Sequence, residues 1–163
     1  MPAVLAPVAS IMDSDIRARA LRLLARREHS RAELRRKLGP HVEEGVDLEA
    51  LLDDFTKRGW LSEERFVEQT VRAKSRKFGP LRIAHHLREK GIDEAGIEQG
   101  LAGTRSDEAG ALETVWRTRF GRPPADATEK ARQVRFLQGR GFALEAVLRF
   151  LKAMQSRCVA SPP

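Results

Sequence analysis

The side chains of this chain best placed to do chemistry are its cations, and they are grouped. Thirty of 163 residues are Lys or Arg against 23 Asp or Glu, a formal net charge of +7. From Arg17 to Lys37 nine residues are basic and two acidic; from Glu43 to Glu68 nine are acidic and three basic. From Arg72 to Lys90 seven are basic and one acidic, from Asp93 to Glu113 six are acidic and one basic, and from Arg117 to Arg140 seven are basic and two acidic. Crowded like charge destabilises a fold unless an anion relieves it. The chemistry that suits such blocks is recognition of a phosphate backbone or an acidic protein surface. The residues expected to make that contact are Arg26, Arg27, Arg31, Arg35 and Arg36 in the first basic block. In the second they are Arg72, Arg76, Lys77, Arg82, Arg88 and Lys90, and in the third Arg132, Arg135 and Arg140. Aromatic residues are few, at 6%, with little interleaving among the cations, which disfavours a dedicated single-strand binder that stacks bases. No recognition helix stands apart, so any DNA contact is expected to be electrostatic and independent of sequence.

Other chemistries lack their residues. There is no G-x-x-x-x-G-K-[ST] loop and no G-x-G-x-x-G after a strand. His29, His41, His85 and His86 do not have zinc-ligand spacing, and one cysteine gives no soft-ligand set. Glu43-Glu44, Asp53-Asp54 and Glu63-Glu64 are neighbours in sequence, which suits helix starts and solvated faces better than an acid–base pair across a cleft. No enzyme activity, cofactor or metal is expected. Cys158 cannot form an intramolecular disulfide, which points to a reducing cytoplasm. The apolar start, MPAVLAPVASIM, is broken by Pro2 and Pro7 and is too short to span a membrane.

The elements that must position the cations are helices. Ala, Leu, Glu and Arg are abundant, and no stretch alternates in the manner of a strand. Asp13 or Ser14 is expected to cap a first helix with Ile16, Ala20, Leu23 and Leu24 on one face. Ser30-Arg31-Ala32-Glu33 reads as a capping box. Asp47, Ser62, Asp93 and Asp126 (or Thr128) are the expected caps of later helices, and Ser106 is the expected start of a seventh. The inward faces expected are Leu34 and Leu38; Leu48, Leu51, Leu52 and Phe55; Phe66, Val67, Thr70, Val71 and Ala73; Ile83 and Leu87. The later ones are Ile92, Ile97 and Leu101; Leu112, Val115, Trp116 and Phe120; Val134 and Leu137; and Leu144, Val147, Leu148, Leu151 and Met154.

The pattern repeats. After Gly45, Gly91 and Gly141, apolar residues recur at matching offsets: Val46, Leu51 and Phe55; Ile92, Ile97 and Leu101; Phe142, Val147 and Leu151. Glycine at such a point suits the left-handed residue that ends a helix. Nine helices in three groups of three are therefore expected, an all-α chain of three tandem three-helix repeats in an elongated, curved stack. The expected boundaries are a flexible tail at 1–12, repeats at 13–58, 59–105 and 106–157, and a tail at 158–163. A short insertion is expected near 39–44.

An ordered set of residues then resembles a known family. It comprises Ala20 to Leu38 (ALRLLARREHSRAELRRKL), Gly59 to Glu68 (GWLSEERFVE), Gly79-Pro80 with Ile83, Leu87, Lys90, Gly91 and Ile92, and Arg135-Phe136-Leu137 with Arg140-Gly141-Phe142. This resembles the RecX family, regulators of the RecA recombinase, over about residues 17 to 152. The resemblance implies tandem three-helix repeats and a monomer without chemistry of its own. It further implies binding to RecA and within the groove of the RecA–DNA filament, with inhibition of recombinase, ATPase and coprotease activities in DNA repair and the SOS response. Weak direct DNA binding is compatible with it, and no membrane association is expected. The alternatives from the residues alone are a sequence-independent DNA-binding helical protein acting without RecA, and a helical scaffold for another acidic protein.

Overall fold

The computed structural model describes residues 8–104 and 107–159. Among them the chain is helical throughout: α1 (Val8–Leu24), α2 (Arg31–Leu38), α3 (Leu48–Lys57), α4 (Glu63–Lys74), α5 (Pro80–Glu89), α6 (Glu94–Ala102), α7 (Glu108–Arg119), α8 (Ala127–Gly139) and α9 (Leu144–Val159). A single 3-10 turn, Gly39–His41, lies in the segment expected as an insertion.

Side chains start most of these helices where their chemistry dictates. Backbone N–H groups at a helix start lack intrahelical partners. Ser30 accepts from the Glu33 N–H, Asp47 from Ala50, Asp93 from Gly96 and Asp126 from Glu129, at 2.7–3.1 Å. Ser62 accepts from Arg65 at 3.2 Å. The two chain ends depart from expectation. α1 begins at Val8, so neither Asp13 nor Ser14 caps it and residues 8–12 are helical. The reason is local: Pro7 is the last helix-breaking residue, and Val8 to Met12 contain no Gly or Pro. α9 likewise runs through Cys158 to Val159, where a tail was expected. The Ser106 start falls outside the described residues.

The described residues fall into two compact units, although the repeats number three. The first holds residues up to Val67 together with Lys90–Ile92. The second holds Glu68–Glu89 and Asp93 onward. In the first unit Ile16, Ala20, Leu34, Leu38, Leu51, Leu52, Phe55 and Leu61 form the core. In the second, Leu112, Val115, Trp116, Leu137, Phe142, Val147, Leu151 and Met154 do so. The buried indole N–H of Trp116 donates to Gln133 Oε1 at 2.7 Å, which satisfies both polar groups inside that core. Three expected inward residues are exposed: Ala73, Leu144 and Leu148. Leu148 follows buried Val147 and so points about 100° away from it. Ala73 lies two residues past buried Val71, and Leu144 occupies the first turn of α9.

Two glycine corners tie non-neighbouring helices together. In the first unit the Ser30 hydroxyl, at the start of α2, donates to the Lys90 carbonyl at 2.6 Å. Gly91 there has φ +79°, and a Cβ on it would lie 2.6 Å from the Ala32 Cβ. In the second unit the Gly79 and Leu81 N–H groups, at the start of α5, donate to the Arg140 and Gly141 carbonyls at 2.8 and 3.1 Å. Gly141 has φ +92°, and its Cβ would lie 2.4 Å from the Arg82 Cβ. Gly45 shares the backbone conformation, φ +93°, but faces open space.

This separates two costs of adding a side chain. Gly45→Ala should destabilise by about 1 kcal/mol, the strain of a left-handed residue alone. Gly91→Val and Gly141→Ala should each cost clearly more, because the backbone opposite must also shift. Chemical-denaturation midpoints of the three variants measure the difference, and equal losses would show that the corners are not close-packed.

Candidate interaction site

The cations expected to meet a partner divide by what neutralises them. In the first unit most face carboxylates of the same chain. Arg31 reaches Glu49 at 2.8 Å and Asp53 at 2.7 Å, and Arg35 Nη2 donates to the same Glu49 at 2.9 Å. These hydrogen bonds from Arg35 and then Arg31 hold the Glu49 carboxyl down at about 2. Arg17 and Arg58 share Asp54, each at 2.9 Å. The acidic face of α3 thus answers the basic faces of α1 and α2 inside one unit. Arg26 and Arg36 are exposed and form no ion pair among the described residues.

Glu33 is the centre of this unit's electrostatics. Its side chain is 3% exposed, yet carries a full carboxylate. Arg27 grips it with both terminal nitrogens, at 2.6 and 3.0 Å. Lys90 Nζ approaches to 3.4 Å and Lys37 Nζ to 3.9 Å. The carboxylate therefore does not complete the expected capping box; only its backbone N–H takes part, bonded to Ser30. Hydrogen bonding from Arg27 outweighs burial and brings the Glu33 carboxyl down to about 2. Beside it His29, 1% exposed, lies 3.0 Å from the Arg27 carbonyl through Nδ1 and 3.1 Å from Lys37 Nζ through Nε2. A carbonyl only accepts and an ammonium only donates, so the neutral imidazole with its proton on Nδ1 fits both. Burial lowers the His29 pKa in the same sense.

The second unit pairs some of its cations with carboxylates and sets others on rings. Arg88 Nη2 is paired with Glu94 at 2.9 Å. Arg82, Arg132 and Arg140, however, rest on phenylalanine rings. Arg82 lies 4.8 Å from the Phe78 centroid and Arg140 5.6 Å, with Lys74 Nζ at 5.8 Å. Arg140 also lies 5.1 Å from the Phe136 ring, which stands edge-on to Phe120 at 5.3 Å, and Arg132 lies over Phe120 at 5.7 Å. Arg119 lies 5.9 Å from Phe136. The result is a continuous series of cations and rings. A ring contact attracts a guanidinium but leaves its positive charge and most N–H donors available. Arg72, Arg76, Lys77 and Arg135 are exposed and form no ion pair among the described residues.

Aromatic interleaving is thus present where the composition suggested little. Phe78, Phe136 and Arg119 were not among the residues expected at a contact, and Phe120 was expected only as an inward residue. A signal existed: Lys74-Phe78-Arg82 and Arg132-Phe136-Arg140 both run basic–Phe–basic at spacings of four.

Three-helix modules in tandem define a helical-repeat protein. Family models agree module by module: RecX first three-helix domain at 17–44, second at 62–101 and third at 106–151. The chain belongs to the RecX family. It is 46% identical over 137 residues to the regulatory protein RecX of Leptothrix cholodnii, covering 84% of this chain and 87% of that protein. It is 44% identical to the regulatory protein RecX of Neisseria meningitidis serogroup C, with 84% and 89% covered. The fold matches a crystal structure of RecX from Lactobacillus salivarius with a TM-score of 0.77 at 18% identity, covering 90% of this chain and 98% of that one. The Leptothrix and Neisseria relatives are named as regulatory proteins. No helix among the described residues is long and apolar enough to cross a membrane.

The Glu33 network sets a pH dependence. A carboxyl depressed in the folded state adds stability above its ordinary value of 4.5, and that stability is lost as pH falls through about 2. The depression corresponds to about 3 kcal/mol. His29, lowered from 6.5, adds an earlier decline that begins as the unfolded chain takes up its proton. Denaturation midpoints measured from pH 7 to 2 should fall in these two stages. Glu33→Gln should cost about 3 kcal/mol at neutral pH by leaving Arg27 and Lys90 without their anion. It should also flatten the acid stage.

Proposed function

We infer that this protein is a non-enzymatic regulator that binds RecA and the RecA–DNA filament. It acts in the cytoplasm as a monomer and restrains recombinase, ATPase and coprotease activities in DNA repair and the SOS response. The observation that carries this reading is the match of all three modules to the RecX models, with relatives at 44–46% identity named as regulatory proteins. The physical account is one of several modest contacts made by one folded chain. Exposed cations at Arg72, Arg76 and Lys77, together with the ring-backed Arg82, Arg132 and Arg140, meet acidic protein surface or phosphate. Because these contacts share one body, their affinities reinforce one another. Contact with successive recombinase subunits would oppose the movements that accompany ATP turnover.

Arg27, Arg31, Arg35, Arg88 and Lys90 have a smaller part in this proposal than their charge suggests. Each already has a carboxylate partner. A partner would have to displace Glu33, Glu49 or Glu94 to use them.

The ring-backed arginines also favour a second reading, sequence-independent DNA binding without RecA. The two are separated by RecA ATPase activity on single-stranded DNA with and without this protein, alongside salt-titrated binding to DNA alone. The charge-reversed triple variant of Arg72, Arg76 and Arg82 (each to Glu) should bind the filament more weakly and restore ATPase activity while keeping its helical circular dichroism. Full inhibition by that folded variant would remove these residues from the contact.

A further inference from the structure

The place where the Arg140-Gly141 corner meets the start of α5 gathers more positive charge than the fold needs. Lys74, Arg82 and Arg140 approach one ring, Phe78, and none of the three has a carboxylate partner among the described residues. Arg82 is held in place by donating Nη1 to the Gly139 carbonyl at 2.8 Å, which leaves its other N–H donors unassigned. Beside the ring opens a groove of about 550 Å³ lined by Lys74, Phe78, Arg82, His85, His86 and Gln138. The one carboxylate on its wall, Glu89, lies 3.7 Å from His85 Nδ1.

We propose that Lys74, Arg82 and Arg140 around Phe78 form a phosphate-binding site, filled by a backbone phosphate of a nucleic-acid strand. Two planar guanidinium groups beside one ring present forked donors that match phosphate oxygens, and Lys74 adds a point charge. Phosphate suits the site better than an isolated carboxylate, since it offers enough oxygens to engage several donors at once. The bound anion would bridge Arg82, on α5, and Arg140, at the end of α8. It would thereby relieve the repulsion between them and strengthen the junction that the Gly79 and Leu81 N–H groups already make. The site does not depend on RecA being the partner, and its test uses this protein alone.

Fluorescence anisotropy of a labelled single-stranded oligonucleotide across a salt series tests it. R82Q/R140Q should lose roughly tenfold or more in affinity, and the slope of log affinity on log salt should shrink by about 0.7, as expected for one lost phosphate contact. R149Q/K152Q, which removes two other exposed charges of the same unit, should change affinity less than about twofold by comparison. R82K/R140K keeps both charges without the forks and should fall between, which guards against a loss caused by misfolding. Inorganic pyrophosphate should raise the melting temperature of the unaltered protein above that in sodium chloride of equal ionic strength. Competition by a nucleoside triphosphate as strong as that of the oligonucleotide would assign the phosphate to a free nucleotide and overturn the strand as occupant. Unchanged affinity and slope in R82Q/R140Q, an equal loss in R149Q/K152Q, or no stabilisation by pyrophosphate beyond its ionic strength would each overturn the site.

Discussion

A helix start lacks partners for its N–H groups, and a helix end lacks partners for its carbonyls. In this protein the two deficits meet. The carbonyls of Arg140 and Gly141 accept from the N–H groups of Gly79 and Leu81, and the carbonyl of Lys90 accepts from Ser30. Such a meeting requires backbones closer than a Cβ permits, and a left-handed turn at the glycine. Gly91 and Gly141 supply both. Much else follows. The corner brings Lys90 to the buried Glu33 in one unit, and Arg140 to Phe78 in the other.

Excess arginine is held in two ways, by carboxylates and by rings. Around α2 the guanidinium groups lie against Glu33, Glu49 and Asp53, so attraction within the chain replaces repulsion. Around Phe78, Phe120 and Phe136 the groups are held by ring faces, which orient a cation without cancelling its charge. The first arrangement stabilises a fold. The second orients a charge without cancelling it.

Short-range chemistry was readable in advance. Ser30, Asp47, Ser62, Asp93 and Asp126 act within three residues of themselves, and so does the left-handed glycine. What escaped was non-local. Glu33 reads as half of a capping box until Lys90, 57 residues away, is placed beside it. The acidic stretch of α3 reads as a solvated face until Arg17, Arg31 and Arg35 are placed opposite. Phe120 reads as core, and its place beneath Arg132 and beside Phe136 emerges only when α7 and α8 are packed. The ring-backed cations were therefore named in part, without the rings that orient them.

The start of α8 has a different fate from those of α2 and α5. Among the described residues no glycine corner supplies it with carbonyls. Glu129 instead turns back to accept from the Ala125 N–H at 2.9 Å, Asp126 accepts from the Glu129 N–H, and Arg122 braces Glu129 at 2.9 Å. Gly45, which shares the left-handed conformation, faces open space among the described residues. The start of α8 is thus satisfied by its own neighbours in sequence, whereas the start of α5 draws on carbonyls about 60 residues away. One helix start is therefore held by local acids that any solvent-exposed helix could use, and the other by a partner that only this fold can bring to it.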